Sequence, residues 1–165
     1  MDIRELSPEN GPTIDFPAEE FVERRAHIYD AIGDAYALIA SVSSSRGFLP
    51  LRQTNQFFYL TGLETAQAYL LLDGGARTSA LYLPPRGKAQ IAEGAPPGLE
   101  DGELVKALSG FDAVYPVSAL AEHLQEAGAV YTPHAPAEVR ATCRHELQLA
   151  NQAMAHDSWD GRLAR

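Results

Sequence analysis

Apolar residues recur at helical spacing in the first third of the chain. The stripe consists of Phe21, Ile28 and Ile32, with Arg25 as its one polar member. A spacing of three or four residues predicts a helix with one buried face, and Gly33 is suited to end it.

Short continuous apolar runs follow this helix and predict strands that are covered on both faces. The second and third runs flank Asp73-Gly74-Gly75, which is a strong signal for a hairpin between two strands. The predicted strands are residues 36–42, 68–73, 79–84, 112–117 and 129–133.

Helices are predicted around the later strands. One spans Leu99 to Leu108, and another begins with Ser118 as its N-cap and runs to about Ala127. Residues 86–98 are expected to form an exposed loop. A last helix is predicted from residue 136 onward by the stripe Val139, Cys143, Leu147, Ala150 and Met154. This order implies an α/β domain with a mixed sheet, because the hairpin pairs antiparallel and the later units pair parallel.

The stretch LRQTNQFFYLTGLE, Leu51 to Glu64, combines a polar run with a cluster of aromatic residues. Aromatic-rich runs are common in strands, so Phe57 to Leu60 are expected to form a short core strand that ends at Gly62. Polar groups are costly to bury near a sheet unless they are paired. The polar run is therefore expected to be the loop that precedes this strand.

Composition limits the class of protein. The chain has 165 residues and is 45% hydrophobic, which suits one domain with a core. Its net charge of -9 and the lack of any Lys/Arg cluster argue against nucleic acid or a membrane surface as partners. One cysteine excludes an intrachain disulfide, and neither a signal segment nor a membrane-spanning run is present. We expect a soluble, cytoplasmic protein.

The residue types that carry most enzyme chemistry are not arranged as a site. None of the five histidines lies three to five residues from another, and one cysteine cannot form a thiolate metal site. The serines of residues 41–45 lack a nucleophile elbow, and Gly74-Gly75 leads into a strand rather than a helix. Glu100 and Asp101 are explained as a solvated helix start. No catalytic residue and no metal site is predicted in this chain.

The stretch LRQTNQFFYLTGLE and its flanks resemble the N-terminal domain of Xaa-Pro aminopeptidases (aminopeptidase P), of the creatinase/prolidase "pita-bread" metallopeptidase group. The other matching segments are FVERRAHI, with paired Arg24 and Arg25, AYLLLD, LYLPPR and DSWDGR. The resemblance implies a mixed β-sheet flanked by helices, of the creatinase/aminopeptidase P N-terminal type and ribonuclease H-like. It also implies a separate C-terminal catalytic domain, in which two divalent metal ions, commonly manganese, activate the water that cleaves the bond before proline.

None of the family's metal ligands maps onto this chain, so the resemblance implies a non-catalytic domain, a fragment of a longer enzyme, that shapes substrate access and takes part in oligomers. Its partners would be its own C-terminal catalytic domain, further copies of the chain, and a peptide with proline at the second position. Gln56 departs from the Asp or Asn that is usual in the family, and Ala92 stands where relatives often have Trp. The candidates for substrate access or a domain interface are Arg52, Gln53, Asn55, Gln56 and Tyr59.

Two alternatives stay open at this point. The chain is a free-standing binding module of the same fold, or it is the N-terminal domain of an Xaa-Pro dipeptidase or a creatinase. Under all of these interpretations, residues 1–15 are predicted to be an N-terminal lead and residues 16–133 the α/β domain. Residues 134–165 are predicted to be the C-terminal helix and the start of a linker.

Overall fold

A computed structural model of the chain describes residues 16–43, 53–93, 95–125 and 127–133. Its strands are β1 (Tyr36–Ala40), β2 (Tyr69–Asp73), β3 (Thr78–Leu83), β4 (Ala113–Pro116) and β5 (Val130–Tyr131). Its helices are α1 (Ala18–Ile32), α2 (Asn55–Thr61), α3 (Lys88–Ala92), α4 (Gly102–Ser109) and α5 (Leu120–His123). Short 3-10 turns, Leu99–Asp101 and Val117–Ala119, lead into α4 and α5. None of the helices in these residues is long and apolar enough to cross a membrane.

The strands form one mixed sheet in the order β4-β3-β2-β1-β5. The central pairs, β1 with β2 and β2 with β3, are antiparallel, whereas β4 and β5 add in parallel at the two edges. The mixed α/β sheet predicted from the sequence is therefore confirmed. The predicted hairpin joins β2 to β3, and the backbone N–H of Ala76 donates to Asp73 Oδ1 at 2.9 Å within its turn.

The helix predicted from the first apolar stripe is α1, which packs on the sheet with the expected residues inside. Phe21, Arg25, Ile28 and Ile32 are all buried. Gly33 ends the helix at φ 60°, and its N–H donates to Tyr29 O at 3.1 Å.

The core strand predicted at Phe57 to Leu60 is wrong, because these residues lie in helix α2. Thr54 caps the helix by accepting a 3.3 Å hydrogen bond from the N–H of Phe57, and Gly62 ends it at φ 69°. Phe57 and Leu60 are buried, a spacing of three residues that places them on one helical face. Local capping and the packing of that face prevail over the strand propensity of the aromatic side chains.

Two further predictions need correction. Ser118 is not a helix N-cap, because helical backbone already starts at Val117, directly after the extended Pro116. The helix that follows ends at His123 and not near Ala127. The exposed loop predicted at residues 86–98 contains the short exposed helix α3.

The end of that predicted loop is also not exposed, since Pro97 and Gly98 are buried. Asp101, expected on a solvated helix start, keeps only 11% of its side chain exposed because it forms an ion pair with Arg86. The N-terminal lead, Cys143 and the predicted C-terminal helix lie outside the described residues.

Candidate functional site

An open groove of about 530 Å³ lies beside α2 and the start of α1. We call it the α2 groove; its lining residues are Phe16, Arg24, Asn55, Gln56, Phe58 and Tyr59. Three candidates from the sequence, Asn55, Gln56 and Tyr59, are thus brought together at one place. The volume of the α2 groove lies within the range of roughly 300–1,000 Å³ that is typical of binding pockets.

The helical form of α2 explains why these side chains face outward. Phe57 and Leu60 point into the core with 0% and 2% exposure, which leaves Asn55 and Tyr59 exposed and Gln56 and Phe58 half-buried. Tyr59 is 53% exposed, although it is a large aromatic residue. A strand at the same place would have put alternate residues on opposite faces and would not have gathered these groups into one groove.

Arg24 stands at the wall of the α2 groove and contacts its aromatic rings. Its Cζ lies 4.5 Å from the centroid of the Tyr59 ring and 4.6 Å from that of Phe16. Its Nη1 donates to Tyr59 O at 3.0 Å, and its Nε donates to Glu20 Oε1 at 3.0 Å. Each nitrogen of the guanidinium therefore has a partner, because Nη2 also lies 3.0 Å from Glu20 Oε1.

The neighbouring Arg25 holds α2 from the buried side. Its side chain is only 1% exposed, and Nη1 donates to Leu60 O at 3.0 Å. Its Nη2 donates to Ser109 O at 2.7 Å and to Gly110 O at 2.5 Å, at the end of α4. Burial lowers the pKa of Arg25 to about 10, which still leaves a cation at neutral pH. Carbonyl dipoles at the ends of two helices stabilise that charge.

Arg24 lines the α2 groove and Arg25 supports α2 from behind, but the candidate set from the sequence includes neither of them. The spacing of four residues between Glu20 and Arg24 is a signal for their ion pair. No comparable signal indicates the contacts with α2, because Arg24 and Tyr59 are 35 residues apart in the chain.

Gln53, another candidate, does not line the α2 groove. Its Oε1 accepts from Val42 N at 2.9 Å and from Thr54 N at 3.0 Å, while Nε2 donates to Thr65 O at 3.0 Å. The amide therefore ties together three backbone segments around the start of α2. Arg52, the remaining candidate, lies outside the described residues.

A second polar cluster lies at the β4 edge of the sheet, between β3, β4 and α5. The hydroxyl of Tyr82 and Nδ1 of His123 are 2.6 Å apart, and the ring of Tyr115 packs edge-on against His123 at 4.8 Å between centroids. Burial, with the nearby Tyr115 as a smaller cause, raises the pKa of Tyr82 to about 12. This cluster attaches the short α5 to the sheet.

Metal ligands are not assembled in the part of the chain that the structure describes, where no three His, Cys, Asp or Glu side chains come close enough to hold an ion. The pair of divalent ions implied by the resemblance therefore finds no fitting donor set among these residues.

Comparison with known families matches the domain described as "Aminopeptidase P, N-terminal domain" to residues 21–134. The chain belongs to this family. A curated protein named "Probable Xaa-Pro aminopeptidase", from Tuber melanosporum (strain Mel28), is 31% identical to it over 109 residues. That match covers 63% of this chain and 24% of the relative.

Several solved structures have the same fold as this domain. Icp55 from Saccharomyces cerevisiae matches 89% of this chain with a TM-score of 0.64 and 16% identity. A histidine variant of Escherichia coli aminopeptidase P matches 85% of it with a TM-score of 0.58 and 24% identity. A zinc-substituted form of the same E. coli enzyme, in complex with product, matches with a TM-score of 0.57. The chain spans 36% of the yeast structure and 33% of the E. coli one, so it corresponds to about a third of these proteins.

Proposed function

We propose that this chain is the non-catalytic N-terminal domain of a proline-specific metalloaminopeptidase. It shapes the access of peptide substrates to a catalytic domain and takes part in oligomer assembly. The observation that carries this proposal is the α2 groove, where Asn55, Gln56 and Tyr59 are held towards solvent on a helix fixed from behind by Arg25.

The relatives support the substrate class. The curated relative is named for Xaa-Pro aminopeptidase activity, and the chain spans about a quarter of its length. In the proposed parent, the two divalent ions belong to the catalytic domain, and we expect them to be manganese. The cytoplasmic location expected from the sequence belongs to the proposal as well.

The α2 groove has the properties expected of a surface that contacts a peptide on its way to a catalytic domain. It is open and presents aromatic and amide groups, and Arg24, the one charged side chain among its described lining residues, is already paired with Glu20. A peptide passing such a surface gains apolar contacts and hydrogen bonds without having to carry a matching charge.

The downstream coding sequence and the protein it encodes provide the test. We expect the reading frame to continue into a domain with two Asp, one His and two Glu as metal ligands. The purified longer protein should release N-terminal residues from Xaa-Pro peptides when manganese is supplied, while the 165-residue chain alone should not. Release of product by the 165-residue chain would contradict the non-catalytic role.

The same experiment separates the alternatives. A reading frame that ends at Arg165 would favour a free-standing binding module. Cleavage confined to Xaa-Pro dipeptides would indicate a dipeptidase parent, and hydrolysis of creatine a creatinase parent.

A matched pair of variants in the longer protein tests the groove itself. Tyr59→Ala removes the exposed ring in the groove and should raise KM for long peptides about tenfold with little change in kcat. Tyr115→Ala removes a ring that is 37% exposed on β4, away from the groove, and should leave KM unchanged. Equal effects of both variants would argue against a role for the groove in substrate access.

A further inference from the structure

We propose that a helix within residues 134–165 docks on the second face of the sheet, which is the face turned away from α1. The contact is made by the apolar stripe of this segment, Val139, Cys143, Leu147, Ala150 and Met154. The inference concerns packing within the chain, so it goes beyond the proposed function and does not depend on it. It makes this segment the second covering layer of the domain.

The strands divide their side chains between the two faces of the sheet. Successive side chains of a strand point to opposite faces. In β2, Leu70 and Leu72 belong to the main hydrophobic core, which they share with residues of α1, α2 and α4 on the first face. Leu71 therefore points to the second face. Its partners in register are Leu38 on β1 and Ala80 on β3, so an apolar row crosses the centre of this face.

Leu71 is buried on the second face. Only 6% of its surface is exposed, although it is not part of the main core. Its neighbours Leu38 and Ala80 stand beside it in the sheet and do not lie over it. A side chain at the centre of a sheet face is shielded from water when another layer of the chain packs above that face. Such a layer must therefore cover Leu71.

The described helices do not supply this layer. Helices α1, α2 and α4 contribute to the main core on the first face. Helix α3 has no buried residue, whereas a helix packed on a sheet buries one of its faces. Helix α5 lies at the β4 edge, where His123 contacts Tyr82 and Tyr115. Leu71 lies on β2, which is the central strand.

Residues 134–165 have the pattern and the length that this layer requires. They follow β5 in the chain, and their apolar stripe has the spacing of one helical face. A helix from Val139 to Met154 is about 22 Å long. Five strands span about 19 Å from the first to the last, so one helix can cross the whole face. The first face is already occupied by α1, α2 and α4.

The single cysteine provides the test, because Cys143 belongs to the proposed contact. The rate at which its thiol reacts with a chromogenic disulfide reagent is measured in the folded 165-residue chain. The control combines Cys143→Ala with Gln152→Cys, which moves the thiol to the opposite side of the same helix. The thiol at position 143 should react at least about thirtyfold more slowly than the control thiol, and both should react alike in urea.

Substitutions on both sides of the contact make the test specific. Leu147→Ala shortens a residue of the stripe and should speed the reaction of Cys143 about tenfold. Leu149→Ala removes the same atoms away from the stripe, so it is the matched control and should leave the rate within about twofold of wild type. Leu71→Ala should act like Leu147→Ala, and the amide NMR shifts of the central strands check that each variant is folded. In the isotopically labelled chain, the methyl groups of Leu71 should show nuclear Overhauser effects to side chains of the stripe.

Several results would overturn the inference. Equal reactivity of the two thiols in the folded chain is one, and equal effects of Leu147→Ala and Leu149→Ala are another. Overhauser effects from Leu71 to residues 44–52 would assign the covering layer to that segment and refute the docking proposed here. Protection of Cys143 that weakens on dilution would assign the layer to a second copy of the chain, with the same consequence.

Discussion

The guanidinium of Arg25 donates a 3.0 Å hydrogen bond from Nη1 to the carbonyl oxygen of Leu60 in the interior of the domain. The same group reaches the end of α4 through Nη2. One cation on α1 therefore sets the positions of the last turns of two other helices. Since α2 carries four of the six described lining residues of the groove, Arg25 is part of the support of the site although it is buried.

Replacing Arg25 by methionine should strongly destabilise the domain. The variant keeps a long apolar side chain but leaves the carbonyl oxygens of Leu60 and Ser109 without their donor, which should lower the free energy of unfolding by about 3 kcal/mol. Urea denaturation measures the change. Arg77→Met is the control, because Arg77 is 52% exposed and its ion pair with Asp30 should contribute no more than about 1 kcal/mol. Similar losses for both variants would contradict the role given to Arg25.

Gly62→Ala should also destabilise the domain. Gly62 has φ 69°, and a Cβ there would lie 2.5 Å from Cζ of Phe21, a buried ring on α1. The backbone strain and the collision together should lower the free energy of unfolding by about 2–4 kcal/mol. Gly128→Ala, where a Cβ meets no atom of the described residues within 4 Å, should change it by less than about 0.5 kcal/mol. Thermal unfolding of the two variants side by side provides the comparison.

The buried phenol of Tyr82 should make stability depend on alkaline pH. Its pKa is about 12 in the folded chain and about 10 when unfolded, so the folded state holds the proton more tightly. This stabilisation is complete below pH 10 and is lost as the pH rises towards 12, with about 1 kcal/mol lost by pH 11.

Tyr82→Phe isolates this effect. The variant has no phenol to ionise, so its free energy of unfolding should fall less steeply between pH 9 and pH 11 than that of wild type. Urea unfolding at several pH values measures both slopes. Parallel slopes would show that Tyr82 ionises alike in the folded and unfolded chains.

Arg86 should protect the exposed segment that carries α3 from proteolytic cleavage. Its Nη1 donates to the carbonyl oxygens of Ala95 and Pro96 at 3.1 Å, and its Nη2 pairs with Asp101. Arg86→Ala should open the base of this segment and speed cleavage by a lysine-specific protease at the exposed Lys88 roughly fivefold. The half-life of the intact chain on a gel is the measurement.

Asp101→Ala and the double variant serve as controls for this prediction. If Arg86 acts with Asp101, the double variant should be cleaved little faster than either single variant. If the two substitutions speed cleavage additively, or if Arg86→Ala does not speed it at all, Arg86 and Asp101 do not act together to hold this segment.

The central sheet could be predicted from the sequence because its signals are local. The two apolar runs around Asp73-Gly74-Gly75 are each long enough for a strand, and the turn residues between them fix antiparallel pairing. The buried face of α1 was likewise visible as a stripe of regular spacing. In these segments local propensity and tertiary packing favour the same structure.

The groove could be predicted only in part. The resemblance indicates Asn55, Gln56 and Tyr59, but the sequence predicts a loop for the first two and a strand for Tyr59, and not one helix for all three. A helix of seven residues is too short to show a clear period, and its aromatic residues favour a strand on propensity. The partners of Arg25 on α4 are 84 and 85 residues away in the chain, so only the folded structure shows them.

The order of the sheet has a consequence for how the chain acquires its structure. The three central strands are consecutive in sequence, and all of them lie before residue 84. On a ribosome they are therefore synthesised before the two outer strands, and their mutual pairing does not require β4 or β5. β4 and β5 then arrive last and cover opposite edges of that meander. Until these two strands have been synthesised, the edges of the three-stranded sheet are open to pairing with other nascent chains. The exposure lasts at least as long as the ribosome needs to reach Tyr131.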